Sequence, residues 1–171
     1  IHSRDLVHGN INPESILLAA DGQVKVTDVS KSRLAGKLSL DEDQATWLAQ
    51  FISPEESRQL PLTPAPDPSS LGCVAYQILS GVPPVDGASA TAIIRHHARE
   101  PVMALKERSP QLPDAICSLV DSLLAKDASE RPASASQVSN TLKAAGRGQR
   151  RSSGRVRAAR PSSHEAPVME A

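Results

Sequence analysis

Four polar residues near the start of the chain could do chemistry: Asn10, Asn12, Ser15 and Asp28, set in LVHGNINPESILL (6–18) and VKVTDVS (24–30). A carboxylate such as Asp28 holds a divalent cation through oxygen, and a hydroxyl such as Ser15 is a weaker ligand of the same kind. Asn10 and Asn12 offer amides instead of charges. An amide oxygen accepts a hydrogen bond but is far too weak a base to take a proton at pH 7, and a positioned base is worth about 10²- to 10⁴-fold in rate. The motif offers no replacement for a base or a cation. Elsewhere, His96 and His97 stand side by side on a polar helix, so they face different directions and read as solvated rather than metal-binding. Asp41, Glu42 and Asp43 form an acidic patch that reads as a solvated loop or as an imitation of phosphate. Cys73 and Cys117 lie far apart in apolar segments without a CxxC spacing, and read as buried structural thiols of a reducing compartment.

The elements that must position these residues follow from pattern. Residues 16–20 and 23–27 alternate as two short strands around Asp21-Gly22, a pair suited to the positive φ of a tight hairpin. From Ser30 to Gln50 the sequence is polar and without a steady period, which predicts an extended loop. SPEESRQL (53–60) has a Ser cap, Pro at the first helical position and acids in the first turn, which predicts a short helix. DPSSLGCVAYQILSG (67–81) is apolar nearly all round and belongs at the centre of a domain. More helices are expected at 88–100, at 113–127 with Ile116, Leu119, Val120, Leu123 and Leu124 on one face, and at 134–146 with Gly146 as the stop.

At 171 residues the chain suits one domain with a core. Its aromatic residues are Trp47, Phe51 and Tyr76 alone, so Leu, Val, Ile and Ala are expected to build that core. Residues 1–143 carry 13 basic and 17 acidic side chains, whereas 144–171 carry 6 and 2. The Arg-, Ser- and Pro-rich segment from 146 to 171 is therefore a separate electrostatic object, expected to be a disordered linker, with weaker readings as a contact to nucleic acid or an anionic membrane surface and as a phosphorylation site at Ser152 and Ser153 beside Arg150 and Arg151. No run reaches the ~18 apolar residues of a membrane span and no signal pattern opens the chain, which predicts a soluble, cytoplasmic protein. The opening Ile1, in place of Met, predicts a fragment or a trimmed chain.

Taken in order, HGNINPES, DVS, SPE at 53–55, DPSSLGCVAYQILSGVPPVDG and LLAKDASERPAS resemble the successive motifs of the C-terminal lobe of a protein kinase, most closely as written in bacterial Ser/Thr kinases. The resemblance covers about residues 1–145. It implies an α+β, protein-kinase-like fold, a mainly helical lobe with a short β-hairpin at the catalytic loop, the N-terminal lobe being absent. ATP and Mg²⁺ would then bind only when that lobe is supplied.

Carried over position by position, the resemblance sets Asn10 in place of the catalytic Asp and Asn12 in place of the Lys that neutralises the transferred phosphate. Ser15 replaces the Asn that binds a second Mg²⁺, and Gly9 replaces the Arg that pairs with an activating phosphate. Asp28 keeps the metal-binding place, while Val29 and Ser30 replace the Phe and Gly after it. Leu48 stands for the Thr that helps to grip substrate, and Leu17 lies at the adenine floor. The structural positions are kept: His8 packs the loop, Asp67 caps its backbone, and Glu55 pairs with Arg131. The implied function is a degenerate, pseudokinase-like regulatory module that binds a protein partner or another kinase domain. The alternatives are a Ser/Thr kinase with an atypical site, using one metal at Asp28, and a nucleic-acid adaptor working through the Arg-rich tail.

Overall fold

The computed structural model describes residues 7–29, 41–58 and 66–155, with Pro66 and residues 148–155 described by backbone alone. A single 3₁₀ turn, Pro13–Ser15, leads into β1 (Ile16–Leu18), which pairs antiparallel with β2 (Val24–Val26) in the register Ile16 to Val26, Leu17 to Lys25 and Leu18 to Val24. The turn works as the Asp-Gly pair predicts. Gly22 takes φ 81°, and the Gln23 N–H donates to Asp21 Oδ1 over 2.9 Å.

Seven helices follow among the described residues: α1 (Glu42–Ala49), α2 (Pro54–Ser57), α3 (Pro66–Ser80), α4 (Ala90–Arg99), α5 (Leu105–Arg108), α6 (Asp114–Leu123) and α7 (Ala135–Arg155). The central helix is α3. Gly81 at φ 80° ends it, and its Gly72 lets α6 approach so closely that a Cβ there would lie 2.9 Å from Leu123 Cβ. The core joins Cys73, Val74 and Tyr76 of α3 to Phe51, Leu105, Cys117, Val120 and Leu124. Two of the three aromatics and both thiols are thus core residues, more than the expected aliphatic set. Both cysteines are free and buried, and burial pushes the Cys73 thiol up to about 12.

Three expectations need correction. The segment 30–50 is not loop throughout, because Asp41 caps a two-turn helix: its Oδ1 accepts from the Gln44 N–H at 2.7 Å, and Ala49 is buried at the other end. The acidic patch is thus a helix start, where the dipole favours negative charge. Gly146 does not stop the last helix, which runs on to Arg155 without a left-handed residue. An internal Gly costs a helix only about 1 kcal/mol, and the Ala, Arg and Gln around it are good helix formers. Part of the segment read as disordered is therefore helical, and residues 156–171 lie outside the described residues. Finally, His96 and His97 are not both solvated: His97 turns inward and is 2% exposed. It packs where the backbone of Ala49 and Gln50 ends α1. Burial first, then the nearby Lys126 charge, push its imidazole down to about 4, so it is neutral at physiological pH. Among the described residues no helix is long and apolar enough to cross a membrane.

Candidate functional site

The loop from His8 to Ser15 is held from beneath by one carboxylate. Asp67, buried in the first turn of α3, accepts from the His8 N–H through Oδ2 and from the Gly9 N–H through Oδ1, each at 2.8 Å. Gly9 takes φ 66°, a geometry that suits the residue found there. The Asn10 N–H donates to His8 Nδ1 at 3.2 Å, which fixes the ring proton of a neutral His8 on Nε2. His8 itself is buried. Among the described residues this Nε2 has no hydrogen-bond partner.

Asn12 and Ser15 occupy each other. The Asn12 amide oxygen accepts from the N–H groups of Glu14 (3.0 Å) and Ser15 (3.2 Å), while its Nδ2 donates to the Asn10 carbonyl (3.0 Å) and to Asn10 Oδ1 (3.2 Å). The Ser15 hydroxyl donates to the Asn12 carbonyl at 2.9 Å and accepts from the Asn12 N–H at 3.1 Å. The two form a reciprocal capping box over the Pro13–Ser15 turn, and both side chains are buried. An amide has two donors and two acceptor sites, and all four of Asn12's are used. The signal for this box was legible: Asn-Pro-Glu-Ser is a cap followed by Pro at the first turn position and a short hydroxyl three residues on. Pattern reading matched these residues to chemical roles and passed over the cap.

The hairpin carries Asp28 to the same end of the lobe. The Thr27 N–H donates to the Ser15 carbonyl at 2.8 Å, tying the exit of β2 to the end of the loop. Asp28 follows at φ 65°, the one non-glycine residue in the left-handed region among those described. Asp tolerates that region better than most residues, and such backbone settings gather at functional sites. Val29 beside it is exposed, as is Leu17, which is 50% exposed on β1 with Leu18, Val24 and Val26 also open. Ser30 lies outside the described residues. No group of three His, Cys, Asp or Glu that could hold a metal ion occurs among the described residues, so a cation here would rest on Asp28 and on what a ligand supplies.

Buried Arg131 and half-buried Glu55 form an ion pair. Arg131 Nη2 donates to Glu55 Oε1 at 2.7 Å and Nη1 to Oε2 at 3.1 Å, while Nε donates to the Ala125 carbonyl at 2.8 Å. Burial alone would raise the Glu55 carboxyl, but the hydrogen bonds and charge of Arg131, with smaller help from its own backbone and Ser53, hold it below its ordinary value. Its neighbour Glu56 shifts the other way. Burial raises it, and the negative charges of Asp67 and Glu55 add to the rise against hydrogen bonds from Ser53.

A cavity of about 240 Å³ opens beside the loop, walled by Asn10, Leu48 of α1, Phe51, Glu56 of α2, Ser70 of α3 and Ile94 of α4, among others. Glu56 and Ser70 carried no sequence signal as site residues. They enter through the packing of α1 and α4 over the loop.

Comparison with known proteins agrees with this geometry. The model of the protein kinase domain matches residues 1–142. A probable serine/threonine-protein kinase PknB of Lactococcus lactis is 30% identical over 131 residues, covering 76% of this chain and 21% of that protein. A serine/threonine-protein kinase of Corynebacterium efficiens is 32% identical over 155 residues (88% and 28%), and PknA of Mycobacterium tuberculosis is 31% identical over 150 residues (87% and 34%). The chain thus spans about a fifth to a third of the length of these curated relatives. With the ordered motifs, the loop seated on Asp67 and the Glu55–Arg131 pair, these matches identify the chain as a member of the protein kinase domain family, of the bacterial serine/threonine type.

Proposed function

We propose that this member of the family does not transfer phosphate and works as a regulatory module that binds a protein partner or another kinase domain. The observation that carries the reading is the closed network of Asn10, Asn12 and Ser15. Where a phosphoryl-transfer site needs a base and a cation aimed at substrate, the Asn12 amide donates to Asn10 Oδ1 and the Ser15 hydroxyl bonds the Asn12 backbone. Transfer depends on positioning and charge stabilisation, and neutral groups engaged within the loop supply little of either.

A second reading is favoured by one residue. Asp28, in its left-handed setting, offers a carboxylate to a single Mg²⁺ carried by ATP, once an N-terminal lobe completes the nucleotide site. This would make the protein a slow Ser/Thr kinase that positions its substrate hydroxyl at Asn10.

Mg·ATP binding and autophosphorylation by the intact protein separate the two readings, with Asp28→Ala and the pair Asn10→Asp/Asn12→Lys as companions. The expected result is no phosphate incorporation by the parent above the Asp28→Ala background. Turnover in the parent that Asp28→Ala abolishes would overturn the first reading and establish the second.

A further inference from the structure

The cavity beside the loop has a chemical character of its own. Among the described residues that line it, Glu56 is the only charged one, and none is a lysine, arginine or histidine. The negative charges of Asp67 on α3 and Glu55 on α2 act on this carboxylate. The rest of the wall is largely apolar: Leu48, Phe51, Ile52 and Ile94, with Ile94 at the rim and 36% exposed. A carboxylate set in a largely apolar wall disfavours phosphate and favours a cation.

We propose that this cavity takes the side chain of a lysine presented by a partner protein, its four-carbon stem against Leu48, Phe51 and Ile94 and its ammonium on Glu56. The stem suits the apolar wall, as lysine stems do wherever they bury beneath a solvated head. Arginine fits less well. Its planar fork wants two free carboxylate oxygens, and Glu56 Oε2 already accepts from the Ser53 N–H at 2.9 Å. A protein donor is favoured over a free amine because the apolar rim at Ile94 gives residues flanking the lysine a surface to cover. The proposal deepens the binding-module reading and rests on it, naming what the module would grip.

The test is a titration of the methyl-labelled intact protein, without nucleotide, using N-acetyl-lysine methylamide, its norleucine and arginine counterparts and n-butylammonium as probes. Glu56→Gln is the central variant, because glutamine keeps an oxygen for the Ser53 N–H and removes only the charge. Ala90→Leu fills the cavity from α4 and leaves Glu56 intact, so the proposal stays testable should Glu56→Gln unfold. The lysine probe is expected to shift the Leu48, Ile52 and Ile94 methyls, to bind about tenfold more tightly than the norleucine probe, and to weaken by about tenfold in either variant, a loss of about 1.4 kcal/mol. Equal affinity for norleucine, unchanged affinity in the variants, or no methyl shifts would overturn the proposal. Tighter binding of butylammonium than of the capped lysine would overturn the assignment to a protein donor. The two readings fail separately: phosphate turnover sinks the inactive-kinase reading whatever the methyls do, and silent methyls sink the lysine site whatever the turnover.

Discussion

The loop at residues 8–15 and the Glu55–Arg131 pair treat charge in opposite ways. Asp67, Glu55 and Arg131 bond to loop N–H groups, to the Ala125 carbonyl and to each other. In the loop, neutral groups bond within the segment: Asn12 Nδ2 donates to Asn10 Oδ1, and the Ser15 hydroxyl donates to the Asn12 carbonyl. The contrast teaches what charge does in this fold. A charge that holds backbone in place cannot leave without the fold losing stability, whereas a neutral cap is replaced at lower cost.

The comparison breaks most visibly at Arg131. Arg131→Met leaves the half-buried Glu55 without its partner, and urea unfolding of the intact protein is expected to show a loss of about 3 to 5 kcal/mol. The same pair gives a signed pH dependence. Glu55 titrates below its ordinary value in the folded state, so its contribution is present above pH 4.5 and is lost as pH falls through the folded value. In Arg131→Met that acid limb is expected to flatten or reverse, because protonation then relieves the orphaned carboxylate.

A smaller effect is expected at Asp67→Asn. One arm of the amide is a donor and cannot accept from the second loop N–H, so the loss is about 2 kcal/mol by the same measurement, together with faster amide exchange at His8 and Gly9. The smallest belongs to the loop. Asn12→Ala removes a cap and is expected to cost about 1 kcal/mol while leaving any nucleotide binding unchanged. A loss as large as that at Arg131 would contradict the contrast.

Much of the fold was legible because its signals are local. Asp21-Gly22, the Ser53 cap with Pro54, the apolar run of α3 and the one-faced pattern of α6 each specify their element within a few residues, and each was found where expected. The pairing of Glu55 with Arg131 and of Asp67 with the loop spans long separations. It was readable only through the resemblance; in the structure Arg131 donates to Glu55 and the His8 N–H donates to Asp67. The misreadings have a common cause. The helix at Glu42–Ala49 has only two turns, so no period had room to develop, and its formation rests on Asp41 and on packing against α4. His97 likewise looked polar in sequence because its burial is imposed by α1, an element the pattern had not supplied. The role of Glu56 was hidden for the same reason, since a cavity wall made by four separate elements leaves no trace in any one of them.

Trp47, the only tryptophan of the chain, stands on α1 with its ring 5.1 Å from that of Phe51 and tilted by 59°. Next to it, Leu48 and Phe51 form part of the cavity wall. The chain therefore carries a built-in optical reporter at the one place where the loop, α1 and the cavity meet. Emission excited at the indole follows the seating of α1 and the filling of the cavity, so this face can be watched without a label.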